Sequence, residues 1–226
     1  GAGNNVVTVR LNQNGYPYDM SWSPVPDGVR VISRDTAREL EELPGVEKVS
    51  VYCSRSNANS VYYGNTQFNG GIFGIDGNYL SDYGYQVKSG RGFTQTDFSD
   101  YRKVALVDAK AVTNLFAGES PVGKAIEINS EVFTVVGVVS LSEEFIPTIN
   151  SLNDYWLYAD TSSGAVYLPD VVWPGVYQFD EPQDVAIKVT STDAMASVGQ
   201  DAANILTERQ IMGSDSEFDY RSTDML

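Results

Sequence analysis

The sequence predicts an α+β protein in which both chain ends build one split layer and the middle of the chain forms an insert. A strand–helix–strand pattern occurs near the start of the 226-residue chain and again near its end. Two such units can combine into a single ferredoxin-like layer of two helices on a sheet. The middle is rich in Gly, Asn, Ser and Tyr and carries short alternating strands. We therefore place the layer at residues 1–66 and 183–226 and the strand-rich insert at 67–182.

The first unit begins with a predicted strand over residues 4–12, followed by a Pro-, Gly- and Asn-rich loop at 13–28. A helix comes next, because Ser33 can accept hydrogen bonds from the first turn and Pro44 cannot continue the helical ladder. The apolar residues of VEKVSVYC alternate loosely, so residues 46–53 are predicted to form the second strand.

The last unit repeats this order. Residues 184–191 and 217–223 are predicted strands, and residues 192–211 between them have apolar side chains at helical spacing. Thr192 or Asp193 is the predicted N-cap, and Gly199 weakens the helix slightly. The helical stripe comprises Met195, Val198, Ala202, Ile205, Leu206 and Arg209.

In the middle of the chain, Asn129-Ser130 separates two runs that alternate with period two, which indicates a β-hairpin. Asp108 follows a predicted strand and can cap a short helix that ends at Gly118. Further strands are predicted at residues 60–65, 71–76, 103–108 and 164–171.

The composition argues against several functional classes. A net charge of −15 and an isoelectric point near 4.2 disfavour binding to nucleic acid or to an anionic membrane surface. The chain has no histidine, which removes the usual general base and the commonest metal ligand. Cys53 is the single cysteine, and its apolar strand indicates a small buried residue. We expect no catalytic residues, no cofactor and no metal.

The segment GESPVGKA, residues 118–125, matches a phosphate-binding loop only in part. Such a loop follows a strand, opens a helix and ends in Ser or Thr. Here a predicted helix precedes Gly118 and a predicted strand follows Gly123, while Ala125 stands at the hydroxyl position. The segment is interpreted as a helix end followed by a turn.

Carboxylate pairs leave a hydrolase as an alternative function. The candidate pairs are Asp97 with Asp100 and Glu143 with Glu144, because two carboxylates can cleave a glycosidic bond. Residues 214–219, SDSEFD, are also acidic but lack the spacing of a known calcium loop. Solvated acids are the commoner interpretation of all these residues.

Aromatic residues provide the candidate interaction surface. The chain has 14 tyrosines, and an exposed aromatic patch can bind a peptide, a glycan or a partner protein. The alternative is that about half of these rings pack in the core. The predicted partner or ligand surface comprises Phe145, Tyr155, Trp156 and Tyr158, together with Tyr62 and Tyr63.

Short motifs occur in a fixed order along the chain. Residues 103–139 contain Val104-Ala105-Leu106, Leu115-Phe116, Gly118, Pro121-Val122-Gly123-Lys124 and FTVVGV from Phe133 to Val138. Residues 72–98 add Gly74, Asp76, Tyr79, Gly90-Arg91, Phe93 and Asp97. This order resembles the extracytoplasmic domain of MacB/FtsX-type ABC transporter permeases over nearly the whole chain. The stretches at 13–28 and 141–163 depart from the family pattern and leave the ligand or partner open.

The resemblance implies a porter-like layer made by both chain ends and an inserted, Sabre-like subdomain. It implies a non-catalytic module that couples ATP hydrolysis to substrate export or partner movement on the extracellular or periplasmic side of the cell membrane. Its partners would be the permease's own transmembrane helices, a cytoplasmic ATPase, and an extracytoplasmic protein or substrate. The isolated domain would be a monomer and the full transporter a dimer. A free-standing extracellular ligand-binding or adhesion module is the alternative.

Overall fold

A computed structural model describes residues 5–141, 163–213 and 216–222. The strands are β1 (Val6–Gln13), β2 (Tyr16–Pro17), β3 (Val46–Arg55), β4 (Val61–Tyr63), β5 (Thr66–Gln67), β6 (Gly71–Ile75), β7 (Tyr85–Gly90), β8 (Val104–Asp108), β9 (Ala125–Ile128), β10 (Glu131–Leu141), β11 (Ala165–Pro169), β12 (Asp184–Val189) and β13 (Phe218–Ser222). The helices are α1 (Arg34–Glu41), α2 (Tyr79–Tyr83), α3 (Gln95–Ser99), α4 (Ala109–Phe116), α5 (Trp173–Val176) and α6 (Met195–Gln210).

The two chain ends form an antiparallel layer with the strand order β13-β1-β12-β3. This is the order of a ferredoxin-like β-α-β/β-α-β arrangement, with α1 and α6 as the two helical connections. Both helices pack on this sheet and on each other, over a core that includes Val7, Val9, Leu40, Ile187 and Leu206. The predicted α+β fold, with a layer built from both chain ends, is confirmed.

Helix α1 begins as its sequence indicates, whereas α6 does not. The Thr36 amide donates to Ser33 Oγ at 3.1 Å, which confirms the predicted cap. The predicted cap of α6 is wrong, because a 3₁₀ turn at Thr192–Ala194 precedes the helix and no side chain caps either element. The Thr192 hydroxyl instead bonds to Asn5 Oδ1 at 3.0 Å. Arg209, predicted on the apolar stripe, is solvent-exposed and pairs with Glu39 at 3.0 Å.

The insert continues the sheet in the order β6-β11-β8-β10-β9-β4-β5, and β7 also pairs with β10. Asp108 caps α4 as predicted, since its Oδ1 accepts from the Ala111 amide at 2.9 Å. Asn129 and Ser130 have φ values of 49° and 70° between β9 and β10, and these left-handed conformations match the twist of a two-residue hairpin. β4 pairs with β9, and the division drawn between residues 66 and 67 stays a prediction.

The segment from Gly118 to Ala125 joins a helix to a strand, as the sequence indicates. Helix α4 ends at Phe116 with Ala117 in a left-handed conformation, and β9 begins at Ala125. The order is the reverse of that in a phosphate-binding loop. Among the described helices, none has the length and apolar character needed to cross a membrane.

Gly199 lies where α6 approaches the layer closely, so the absence of a side chain there has a packing reason. A Cβ atom there would overlap the Ser222 hydroxyl and lie 3.0 Å from Val7 Cγ1. We expect Gly199→Ala to lower the free energy of unfolding by about 1–3 kcal/mol, because overpacking outweighs the better helix propensity of Ala. Urea denaturation measures this change.

The matched control is Gly175→Ala in α5, where an added Cβ meets no atom within 4 Å. Equal stabilities for the Gly199→Ala and Gly175→Ala variants would contradict the close packing of α6 on β1 and β13.

Candidate functional site

Strand β3 joins the layer to the insert and defines the candidate functional site, which we call the junction. From Val46 to Tyr52 this strand pairs with β12 of the layer. From Cys53 to Arg55 it pairs with β6 of the insert. One strand is therefore hydrogen bonded within both parts of the molecule, and the described strands form one continuous sheet.

Asp76 fixes the start of α2 to β3 at the junction. Its Oδ1 accepts from the Ser50 hydroxyl at 2.8 Å and from the Asn78 and Tyr79 amides at 2.9 and 3.1 Å. Its Oδ2 accepts from the Val51 amide at 2.9 Å. A carboxylate that accepts several backbone hydrogen bonds is well compensated for the loss of water. Asp76 is thus the connector between the end of β6, the helix α2 and the shared strand.

A buried ion pair joins the two segments at which the chain passes between the layer and the insert. Arg55, the last residue of β3, donates to both carboxylate oxygens of Glu181, at 2.5 and 2.9 Å. The Arg55 side chain is 8% exposed and that of Glu181 is 1% exposed. The guanidinium group lies 4.5 Å from the ring centroid of Tyr177 and 5.4 Å from that of Trp173. The pair is desolvated and bidentate, so it holds the outgoing and returning chain together.

Aromatic rings fill the interior of the junction. Tyr52 and Tyr79 pack edge to face with their centroids 5.0 Å apart, and Phe73 stacks on Tyr167 at 5.5 Å. Burial raises the pKa of Tyr79 and of Tyr167 well above the ordinary value, so both phenols stay neutral. All four rings are buried, so they belong to the core and not to a contact surface.

Gly90, Arg91 and Asp97 support the edge of the insert, where β7 crosses β10. Gly90 pairs with Gly137, and a Cβ on either glycine would overlap a backbone carbonyl oxygen of the segment that faces it. Arg91 donates to both oxygens of Asp97, at 2.7 and 3.2 Å. The Thr94 amide donates to the same carboxylate at 2.8 Å. These contacts give Gly90 and Arg91 a structural role at this edge of the insert.

Asp97, one of the carboxylates considered for a hydrolase, does not fit the role of a general acid. Burial alone would raise the pKa of Asp97, but hydrogen bonds from Arg91 and Thr94 hold that pKa below its ordinary value. A catalytic acid needs a raised pKa, and both oxygens of Asp97 already face Arg91. Glu143 and Glu144 lie outside the described residues. Within the described ranges, no three acidic or cysteine side chains converge as metal ligands would.

The predicted contact residues are divided between two regions of the chain. Tyr62 and Tyr63 lie on β4, near the last strand of the sheet, and both are half-buried. The Tyr63 ring lies 4.6 Å from that of Phe116 and 5.8 Å from the Lys124 ammonium group. Phe145, Tyr155, Trp156 and Tyr158 lie outside the described residues. The partner surface therefore stays a prediction.

Sequence reasoning missed the residues that build the junction. Arg55 and Glu181 are 126 positions apart, and no local pattern pairs them. Asp76 belongs to the ordered motifs, and its position directly before Gly77-Asn78 is the local signal for a side chain that accepts from the following amides. The spacing of Thr94 and Asp97 could have indicated the capping box that begins α3.

Two solved structures that resemble this fold are the extracytoplasmic parts of ABC transporters. The extracellular domain of the transporter YknZ from Gram-positive bacteria has a TM-score of 0.65 at 18% identity and covers 96% of this chain and 99% of its own. The periplasmic region of MacB from Actinobacillus actinomycetemcomitans has a TM-score of 0.61 at 21% identity, covering 98% and 90%. These likenesses show that the chain shares the fold of those domains.

The family follows from the sequence itself. The sequence model of the MacB-like periplasmic core domain matches residues 1–205, and the chain belongs to this family, the extracytoplasmic domain of MacB-like ABC transporter permeases. The uncharacterized permease YvrN of Bacillus subtilis (strain 168) is 23% identical over 213 residues, covering 92% of this chain and 49% of YvrN. MacB of Aggregatibacter actinomycetemcomitans is 29% identical over 160 residues, covering 70% of this chain and 24% of MacB. The chain spans about half of the first relative and about a quarter of the second. The resemblance drawn from the ordered motifs is confirmed.

Replacing Asp97 tests the support at the edge of the insert. We expect Asp97→Asn to lower the free energy of unfolding by about 1–3 kcal/mol at neutral pH, because charge-assisted hydrogen bonds to a buried group are lost. The folded-state pKa of Asp97 is lowered, so its contribution is complete above about pH 4 and is lost as pH falls through the folded pKa. Urea denaturation between about pH 7 and about pH 2 measures this dependence.

Asp100→Asn is the matched control, since the Asp100 side chain is 59% exposed. That variant should keep the acid sensitivity of the unchanged protein, whereas Asp97→Asn should lose part of it. If the two variants follow the same curve, Asp97 does not anchor the edge of the insert.

Proposed function

We propose that the chain is a non-catalytic coupling module of its permease. It transmits movement of membrane helices, driven by a cytoplasmic ATPase, to a substrate or a partner protein outside the membrane. The observation that carries this proposal is that β3 is hydrogen bonded both in the layer and in the insert. Because one strand crosses both parts, a tilt of the layer becomes a tilt of the insert.

The position of β1 and β13 also supports coupling. These strands are antiparallel neighbours in the layer, with Val9 opposite Ser222. The start of β1 and the end of β13 consequently lie at the same side of the sheet. Transmembrane helices joined to these two strands would act on adjacent positions of a stiff layer, while the junction lies at the opposite end of β1 and β3.

The relatives support transport as the process. They are named as ABC transporter permeases and as macrolide export proteins. For the complete protein we propose its own transmembrane helices, an ATPase subunit or domain, and a dimeric assembly, with the isolated domain a monomer. The candidate contact surface remains Phe145, Tyr155, Trp156 and Tyr158 with Tyr62 and Tyr63, and its occupant would be an extracytoplasmic protein or the exported substrate.

Spin-label distances in the complete permease with its ATPase test this proposal. In a Cys53→Ser background, Val132→Cys reports the insert and Met212→Cys reports the layer, since both positions are more than half exposed. We expect the distance between these two labels to be the same in every nucleotide state. The distance between single Met212→Cys labels on the two copies of the permease should change with ATP.

The reference pair is Val132→Cys with Tyr101→Cys, two exposed positions within the insert. A Val132–Met212 distance that shifts with nucleotide while the reference pair stays fixed would overturn rigid coupling. If the Met212 labels on the two copies never move, the domain does not take part in the ATP cycle.

A further inference from the structure

Asp82 is a buried carboxyl group without a visible partner. Its side chain is fully buried in α2. Neither carboxyl oxygen has a hydrogen-bond partner among the residues that the structure describes. Burial of a polar group without hydrogen bonds costs about 1–3 kcal/mol, and burial of an unpaired charge costs considerably more. A side chain of this kind calls for a reason beyond packing.

The helix that carries Asp82 bridges the two parts of the molecule. Helix α2 contacts β3 and β12 of the layer as well as β7 of the insert. The Tyr83 hydroxyl bonds to the Thr8 hydroxyl on β1. The Asn78 side chain donates to the Val49 carbonyl at 3.0 Å. These bonds tie a helix of the insert sequence to the sheet of the layer.

The charged groups that act on Asp82 come from the segment before α2 and from the two layer strands that α2 contacts. Asp76 precedes α2, Glu47 and Lys48 lie on β3, and Lys188 lies on β12. The lysines are engaged elsewhere, since Lys48 donates to the Ser81 hydroxyl at 3.2 Å and Lys188 lies 3.9 Å from Glu47. Neither ammonium group pairs directly with Asp82.

The protonation state of Asp82 follows from this environment. Burial, and next the charge of Asp76, raise the pKa of Asp82 to about 8, although Lys48 and Lys188 act in the opposite direction. Below that pH the carboxyl group is neutral and its burial is tolerable. Above it, a negative charge would stand in the interface between α2 and the layer beside Asp76.

We propose that Asp82 is a proton-dependent latch between the insert and the layer. With its proton in place, α2 packs on β3 and β12. Loss of the proton drives α2 away from the sheet, because only the open state returns the carboxylate to water. The extent of contact between the insert and the layer then depends on the pH outside the membrane. This proposal concerns the isolated domain and stands whether or not coupling to an ATPase holds.

The stability of the closed state depends on pH in a defined direction. The folded-state pKa of Asp82 lies above its value of about 3.9 in an open or unfolded chain. The closed state therefore binds the proton more tightly, and its extra stability is complete below about pH 4 and is lost as pH rises to about 8. One proton changes the opening equilibrium by about tenfold per pH unit across that window.

Hydrogen exchange of residues 76–85 in the isolated domain tests the latch, with rates corrected for intrinsic exchange at each pH. From about pH 5 to about pH 8 the opening equilibrium of α2 should rise by about tenfold per unit in the unchanged protein. In Asp82→Asn, which has similar shape and no charge, it should stay constant. Asp100→Asn, an exposed carboxylate outside α2, should behave as the unchanged protein does.

The Lys48→Gln variant provides a second, independent test of the latch. Lys48 lowers the pKa of Asp82, so its removal should extend the pH-dependent range to higher pH, even if Asp82→Asn does not fold. The latch is overturned if α2 of the unchanged protein shows no pH dependence. It is also overturned if Asp82→Asn keeps the full dependence or if Lys48→Gln leaves its upper limit in place.

Discussion

The fold depends on one strand being hydrogen bonded both in the layer and in the insert. Because β3 pairs with β12 along its first part and with β6 at its end, the layer and the insert cannot rotate against each other without breaking ladder hydrogen bonds. The Arg55–Glu181 pair closes the second crossing of the chain at the same point. Removing one partner of such a buried pair costs about 3–5 kcal/mol, since an uncompensated charge remains. The junction is thus built for stiffness.

Two aspartates near the junction have opposite effects on the contact between α2 and the layer. Asp76 accepts hydrogen bonds from β3 and from the start of α2, so its charge strengthens the connection. Asp82 lies six positions later, in α2, and neither of its carboxyl oxygens has a hydrogen-bond donor among the described residues. Its charge would weaken the connection that Asp76 makes. A rigid connection that includes one titratable contact can lose part of its rigidity when the pH changes.

The sequence-based predictions succeeded where the signal is local. The caps at Ser33 and Asp108 and the turn at Asn129-Ser130 depend on side chains and backbone angles within a few residues. The ferredoxin-like order followed from two repeated units. The Arg55–Glu181 ion pair and the surroundings of Asp82 depend on contacts between distant segments. Helix α2 has only five residues, and they show no apolar periodicity that would predict a helix. The N-cap of α6 failed because Thr192 bonds to Asn5, 187 positions away.

Scanning calorimetry of the isolated domain tests the central claim most directly. If β3 and the Arg55–Glu181 ion pair join the layer and the insert into one body, the domain should unfold in a single transition whose calorimetric and van't Hoff enthalpies agree. Arg55→Ala should split that transition into two or lower its midpoint temperature markedly. Arg209→Ala, which removes the exposed pair with Glu39, should leave the transition nearly unchanged. Two separate transitions in the unchanged protein would contradict the account, because the layer and the insert would then be independent units.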